Sequence, residues 1–245
     1  MTQLPMKAKV MIGMVALASL SALTYGVQQW QTQSRSQLVM LAVAAALSSR
    51  FKVKIPGTTS SMSGNLPIVL IAVMQLGLFG SLIVAFVAAI AQSYTPHKGK
   101  TKPLHFLFNA CTLLNASGLA YVAYHGGWVA AKNAMHGLPL VLAAATYFLA
   151  NTAPVAGIIG LTEGGNPLAV WHQLFLWSFP NYVIGAGLAA IVSVFATVTG
   201  VITVGTLLAV LYSVHTSYKL YVGRAPEKNA ELAPSVLTKA ATASR

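Results

Sequence analysis

The sequence predicts an all-α, polytopic transmembrane helix bundle of about eight legs, and three observations lead there. Of the 245 residues, 56% are apolar and only 7% are charged, against about 25% charged in an ordinary soluble domain. Such a chain cannot cover a globular surface with polar groups, which excludes an ordinary soluble enzyme, and so much apolar surface also excludes disorder. The apolar residues fall in long runs, several near the roughly 20 residues that a spanning helix needs. Basic side chains stand between the runs and almost never within them.

The first run, residues 10–27, is uncharged and is entered from Lys7 and Lys9. A basic start and the small-x-small tripeptide Ala16-Leu17-Ala18 invite a signal-peptide reading. Cleavage there would leave too short an apolar stretch upstream, so the run is expected to stay as a helix. A short leg, 36–49, follows and is closed by Arg50, Lys52 and Lys54. Residues 66–93 are uncharged and too long for one upright crossing at about 1.5 Å per residue. Runs 104–124 and 138–161 have ordinary spanning length, and 182–199 and 201–217 complete the set.

Positive charge sets the threading. Lys7/Lys9, Arg50/Lys52/Lys54, Lys98/Lys100/Lys102 and Lys219/Arg224/Lys228 form four clusters, and cytoplasmic loops carry such an excess. Placing all four inside requires an even number of crossings between them, so 66–93 becomes a hairpin, broken near Gly77 and Gly80. Arg35 and Lys132 then lie outside, with both termini cytoplasmic. The short legs reach only about 20 Å of a roughly 30 Å core. A six-crossing arrangement with 66–93 re-entrant is therefore the alternative, allowed where protein buries the irregular backbone.

Residues 166–179 form a separate expected helix, with Pro167 suited to its first turn and Pro180 ending it. Trp171, His172, Gln173, Phe175 and Trp177 suit a helix lying in the membrane interface; the other reading is the first half of a kinked span. Residues 1–224 read as one integral membrane domain. The tail, 225–245, has too few large apolar residues to fold alone.

Motifs of enzymatic chemistry are missing: there is no phosphate-binding glycine loop, metalloprotease helix, nucleophile elbow or Cys-x-x-Cys. Glu163 is the only acid before residue 227, so paired carboxylates cannot operate within the membrane. The candidate ligand- or partner-binding residues are accordingly polar and aromatic. Glu163 can pair with a basic group or a cationic ligand, or cap the helix that follows it, where the dipole favours an anion; the plain alternative is an acid among lipid headgroups. It stands twelve residues from Asn151, about 18 Å along one helix. His105, Asn109 and Thr112 recur at steps of four and three on one helical face, with Asn115 drifting off it. They line a cavity or, more commonly, bond neighbouring helices. Asn151 and Thr152 stand beside Pro154, which frees a backbone carbonyl near Ala150 that such side chains can satisfy. Trp171 and His172 complete the set. No cofactor is expected; His105, His172 and His215 are the residues that a haem or pigment would require. The single cysteine, Cys111, reads as a buried apolar group, and Ser81, Ala85 and Ala89, like Ala116 and Ala120, are spaced for close helix approach. The net charge of +12 reflects topology and headgroups, so the expected partners are the bilayer and a membrane protein, without nucleic acid.

Two stretches carry a resemblance. One is Leu47-Ser-Ser-Arg-Phe-Lys-Val-Lys-Ile-Pro-Gly57 with Ser61-Met-Ser-Gly-Asn65 and an apolar hairpin. The other runs from Tyr147-Phe-Leu-Ala-Asn151 through Leu161-Thr-Glu-Gly164 and Val170-Trp-His-Gln-Leu-Phe-Leu-Trp-Ser-Phe-Pro180 to Leu220-Tyr-Val-Gly-Arg224. Together, over about residues 36–224, they resemble the multi-span N-terminal membrane regions that precede GGDEF or HD-GYP modules in bacterial, acidobacterial-type signalling proteins. The resemblance implies a sensor-type bundle in a bacterial inner membrane, here with only 21 residues after Arg224 and so no output module of its own. The expected function is non-enzymatic: binding a partner protein or a small apolar ligand. An accessory subunit of an energy-converting membrane complex is one alternative, and a small-solute transport or capture subunit is another.

Overall fold

The computed structural model describes residues 4–30, 34–50, 52–54, 61–93, 103–127, 137–175 and 178–195, together with 205 and 212. Eight helices lie among them: α1 (Met6–Gln28), α2 (Arg35–Ser48), α3 (Leu66–Gln75), α4 (Leu78–Ser93), α5 (Pro103–His125), α6 (Leu138–Glu163), α7 (Pro167–Leu174) and α8 (Phe179–Phe195). A two-stranded antiparallel ribbon, β1 (Lys52–Lys54) and β2 (Ser61–Ser63), joins α2 to α3. The chain is thus a helical membrane bundle, as its composition dictates. α1, α5 and α6 are each long and apolar enough to cross a membrane, and α2, α3 and α4 are shorter apolar helices. The last expected leg, 201–217, the Lys98–Lys102 run and the tail lie outside the described residues, apart from Gly205 and Tyr212.

Contacts at the helix ends fix the up-and-down order. Trp30, just past α1, packs edge-on against Phe79 at the start of α4, with ring centroids 4.9 Å apart. The Gln37 amide in the first turn of α2 donates to Gln75 Oε1 at the end of α3 (2.7 Å). His125, the last residue of α5, meets the Val73 carbonyl at 2.9 Å. One end of the bundle therefore collects the close of α1, α3 and α5 with the start of α2 and α4. At the other end Gly157, near the close of α6, sits against Met11 near the start of α1. Residues 66–93 are a hairpin with its apex at the His125 end, the hairpin expected from the sequence.

The break falls at Leu76-Gly77 alone, and Gly80 is inside α4. Leu76 is extended, which ends α3 and orphans its last carbonyls. The Ala72 carbonyl still accepts from the Leu76 N–H at 2.8 Å and takes a second bond from Ser81 Oγ of α4 at 3.0 Å, while the Val73 carbonyl meets His125 of α5. Side chains, and not a run of glycines, cap this tight apex.

The core is small-residue packing. Ser81, Ala85, Ala89, Ala116 and Ala120 are all fully buried, in the stripes spaced for close approach. The Ser117 hydroxyl of α5 reaches the Ser81 carbonyl of α4 at 3.4 Å. Isoleucine, leucine and valine of α3, from Ile68 to Val73, fill the centre between them. Large apolar side chains such as Met14, Leu17, Leu20, Val141 and Leu149 are exposed instead. Small residues where helices meet, with large apolar side chains also left on the outer surface, are what lipid solvation permits.

Candidate functional site

The chain reverses at the end of α6. Gly164 adopts the left-handed conformation there, φ 73°, which glycine enters without a Cβ penalty. Both its N–H and that of Gly165 (2.9 Å) point to the Gly160 carbonyl. Asn166 then caps the next helix, its Oδ1 accepting from the Leu168 N–H at 2.9 Å. The expected cap, Glu163, does not fill that role: it is exposed at the last position of α6. Asn166 is better placed because an N-cap side chain must reach the N–H groups of the first turn immediately beyond it.

From this cap α7 climbs back along α6. A Cβ built at Gly160 would lie 2.9 Å from the backbone N and Cα of Pro167, so the two helices touch backbone to backbone there. Four residues on, the Trp171 indole N–H donates to Thr152 Oγ1 at 2.9 Å. Thr152 stands eleven residues before Glu163, about 16 Å along the α6 axis. A helix lying flat in the interface would not reach that depth. α7 is therefore packed along α6 as the first half of a kinked leg would be, and the interfacial reading is corrected for it. The helix stops at Leu174, and Phe175 and Ser178 are buried in the break. Pro180, expected to end this helix, sits in the first turn of α8, where its missing N–H costs nothing.

Around Trp171 the structure builds one polar and aromatic cluster. Tyr147 and Asn151, and likewise Phe148 and Thr152, are four residues apart, so two rows of α6 face α7 and α8. Phe148 is the hub: its ring lies 5.8 Å from Trp171, 5.4 Å from Phe179 and 4.8 Å from Tyr182. The Asn151 amide donates to the Tyr182 hydroxyl at 2.9 Å. Thr152 Oγ1, which accepts from Trp171, itself donates to the Phe148 carbonyl at 2.7 Å. The polar side chains beside Pro154 thus bond α7, α8 and a carbonyl one turn back; neither bonds the Ala150 carbonyl expected from the proline. The cluster can hold α7 and α8 onto α6 by directional bonds, and the residues that form these bonds carry no charge.

Of the residues singled out by the sequence, Asn151 and Trp171 belong to this cluster. Glu163 is about 18 Å from Asn151 along α6, and His172, next to Trp171, is exposed. His105 is exposed in the first turn of α5, Asn109 is half-buried, and buried Thr112 bonds back to the Phe108 carbonyl at 2.8 Å. Asn115, off the stripe, is the residue that joins helices, donating to the Val15 carbonyl of α1 at 2.9 Å. Cys111 is buried and free. Among the described residues no three His, Cys, Asp or Glu side chains group to hold a metal; His215 and Trp177 lie outside them.

Tyr147, Phe148 and Tyr182 are the cluster members that sequence reasoning misses. Their signal is an aromatic pair four residues before an Asn-Thr pair, which has meaning only when both rows face one neighbour.

No curated protein and no solved structure matches the chain. The model of one family, MASE9, matches residues 13–220, a span that includes every described helix residue from early α1 to the end of α8. The chain belongs to the MASE9 family, a membrane-associated sensor-type family.

Proposed function

We propose that this chain is a non-enzymatic sensor-type membrane domain whose moving part is α7, and that it acts by binding a partner protein or a small apolar ligand. One observation carries the reading: among the described residues, one side-chain hydrogen bond holds α7 against α6, Trp171 to Thr152 (2.9 Å). Interhelical bonds of this kind contribute about 0.6–2 kcal/mol in membranes, an amount that a bound partner or ligand can overcome. An apolar ring entering beside Phe148 would compete with the Trp171 and Phe179 rings for the same face. A GGDEF or HD-GYP module, supplied within a longer polypeptide or by a partner, is the output that the sequence resemblance suggests. The bacterial inner membrane, with Lys7, Lys9 and Arg50 on the cytoplasmic side, is the proposed setting.

Two measurements test this reading. Alkaline phosphatase fused after Lys132 should be active and fused after Lys100 inactive; the reverse pattern sinks the orientation. Purification in mild detergent separates the roles. A sensor should emerge without stoichiometric membrane subunits, and chymotryptic cleavage near Trp171 should change when an apolar ligand or partner is added. Stoichiometric subunits would favour an accessory role in a larger complex, and a retained polar solute would favour transport.

A further inference from the structure

The aromatic and polar cluster leaves two hydroxyl groups unused. A phenol hydroxyl can donate one hydrogen bond as well as accept. Tyr147 is 2% exposed and Tyr182 is 5% exposed, and their rings lie 6.3 Å apart. The Tyr182 oxygen accepts from Asn151 at 2.9 Å, which leaves its own O–H to donate. Among the described residues, neither that proton nor the Tyr147 hydroxyl has a partner. Asn151 stands at the middle of α6 and Tyr147 one turn before it, so both groups are far from the ends of the helix. A buried polar group without a partner is costly at that depth in a membrane.

The surroundings set the chemistry of a partner. α6, α7 and α8 contain no lysine or arginine, and Glu163 is about 24 Å from Tyr147 along α6. An ion would find no counter-charge there, so the partner is neutral. Two O–H donors call for acceptor oxygens. The rings of Phe148 and Trp171, with Phe148 also 4.8 Å from Tyr182, favour a flat ring beside those oxygens. Phe179, edge-on to Phe148, is 45% exposed on the apolar outer surface, so a molecule dissolved in the bilayer meets the cluster directly.

We propose that Tyr147 and Tyr182 bind the carbonyl oxygens of a neutral, lipid-dissolved ring compound of the quinone class. The inference rests on the reading of α7 as a ligand-responsive helix and names the ligand's chemistry. Tyr147 is the selective group, because its hydroxyl holds no other bond, whereas that of Tyr182 also ties Asn151 to α8. Contact with the aromatic rings attracts any flat apolar molecule. The hydroxyl groups separate a quinone from a hydrocarbon of the same shape, since the hydrocarbon leaves them unpaired.

The test uses the full chain in lipid nanodiscs, with saturable binding of duroquinone measured against empty discs. Every ring position of duroquinone is methylated, which blocks addition of the Cys111 thiol. The parent should bind it several-fold more tightly than durene, the same methylated ring without carbonyls. Tyr147→Phe removes no hydrogen bond among the described residues, so the ligand-free protein should keep the parent's thermal midpoint. It should nevertheless bind duroquinone several-fold more weakly and durene unchanged. Tyr121→Phe, on α5, should bind both as the parent does. Equal duroquinone binding by Tyr147→Phe and the parent would overturn the proposal. So would equal affinities for duroquinone and durene, or no saturable binding, which would mean that the hydroxyl groups meet water only. Cleavage near Trp171 is scored separately. Tyr147-dependent duroquinone binding without a change in cleavage supports this site while removing the moving role of α7. A change in cleavage with durene but not with duroquinone keeps the moving helix and overturns the quinone.

Discussion

Replacing Gly160 by valine should drive α7 off α6. A Cβ at this position would meet the Pro167 backbone at 2.9 Å, and backbone, unlike a flexible side chain, cannot swing aside. Overpacking of this sort costs about 1–3 kcal/mol, comparable to the Trp171–Thr152 bond that holds the other end of the helix. Limited proteolysis with chymotrypsin should cut G160V near Trp171 several times faster than the parent protein. The neighbouring change Gly157→Val is the control. A Cβ there would have the Met11 Cε as its nearest neighbour, at 2.6 Å. That atom is the far end of a flexible chain, so cleavage near Trp171 should change little. Equal cleavage of G160V and the parent would show that the Gly160–Pro167 contact does not seat α7.

The second large effect is expected at Phe148. It is 4% exposed and is the ring that α7 and α8 share. Truncation of a buried phenylalanine costs about 3–5 kcal/mol, here by removing edge and tilted contacts with Trp171, Phe179 and Tyr182 together. Phe148→Ala should therefore lower the thermal midpoint of the purified protein by more than any single change at Thr152 or Asn151. Phe148→Leu, which keeps much of the volume, should recover a large part of the loss. If Phe148→Ala and Asn151→Ala shift the midpoint equally, the aromatic hub is not the element that joins the three helices.

Much of the architecture is legible in the sequence because lipid imposes few solutions. Uncharged runs bounded by lysines have to be helices, and α1, α2, α5 and α6 start and stop within a few residues of the expected limits. The need for an even number of crossings between basic clusters is enough to make 66–93 a hairpin. It does not supply the apex. Gly77 and Gly80 are equally good breakers by residue type; the choice falls to Leu76-Gly77, where His125 of α5 meets the Val73 carbonyl and Ser81 of α4 adds a second bond to the Ala72 carbonyl.

The segment after Glu163 is the least legible. Trp171, His172 and Trp177 are as suited to a headgroup layer as to a kinked span, since composition reports polarity and not depth. Two tertiary contacts decide the depth, Pro167 on Gly160 and Trp171 on Thr152, and they join residues that sequence spacing alone does not relate. The same limit affects Glu163. An acid that rare suggests a role, but the cap goes to Asn166, three residues closer to the N–H groups that need it.

Whether α7 is a releasable helix held by Trp171 can be read from the distance between α6 and α7. In a Cys111→Ala background, spin labels on cysteines at Leu149 and His172, both exposed, report that separation by double electron–electron resonance in lipid nanodiscs. With Trp171 intact, one narrow distribution is expected. With Trp171→Ala, a second, longer population should appear as α7 leaves Thr152 and Phe148. A single unchanged distribution in both proteins would contradict the release of α7 from that contact.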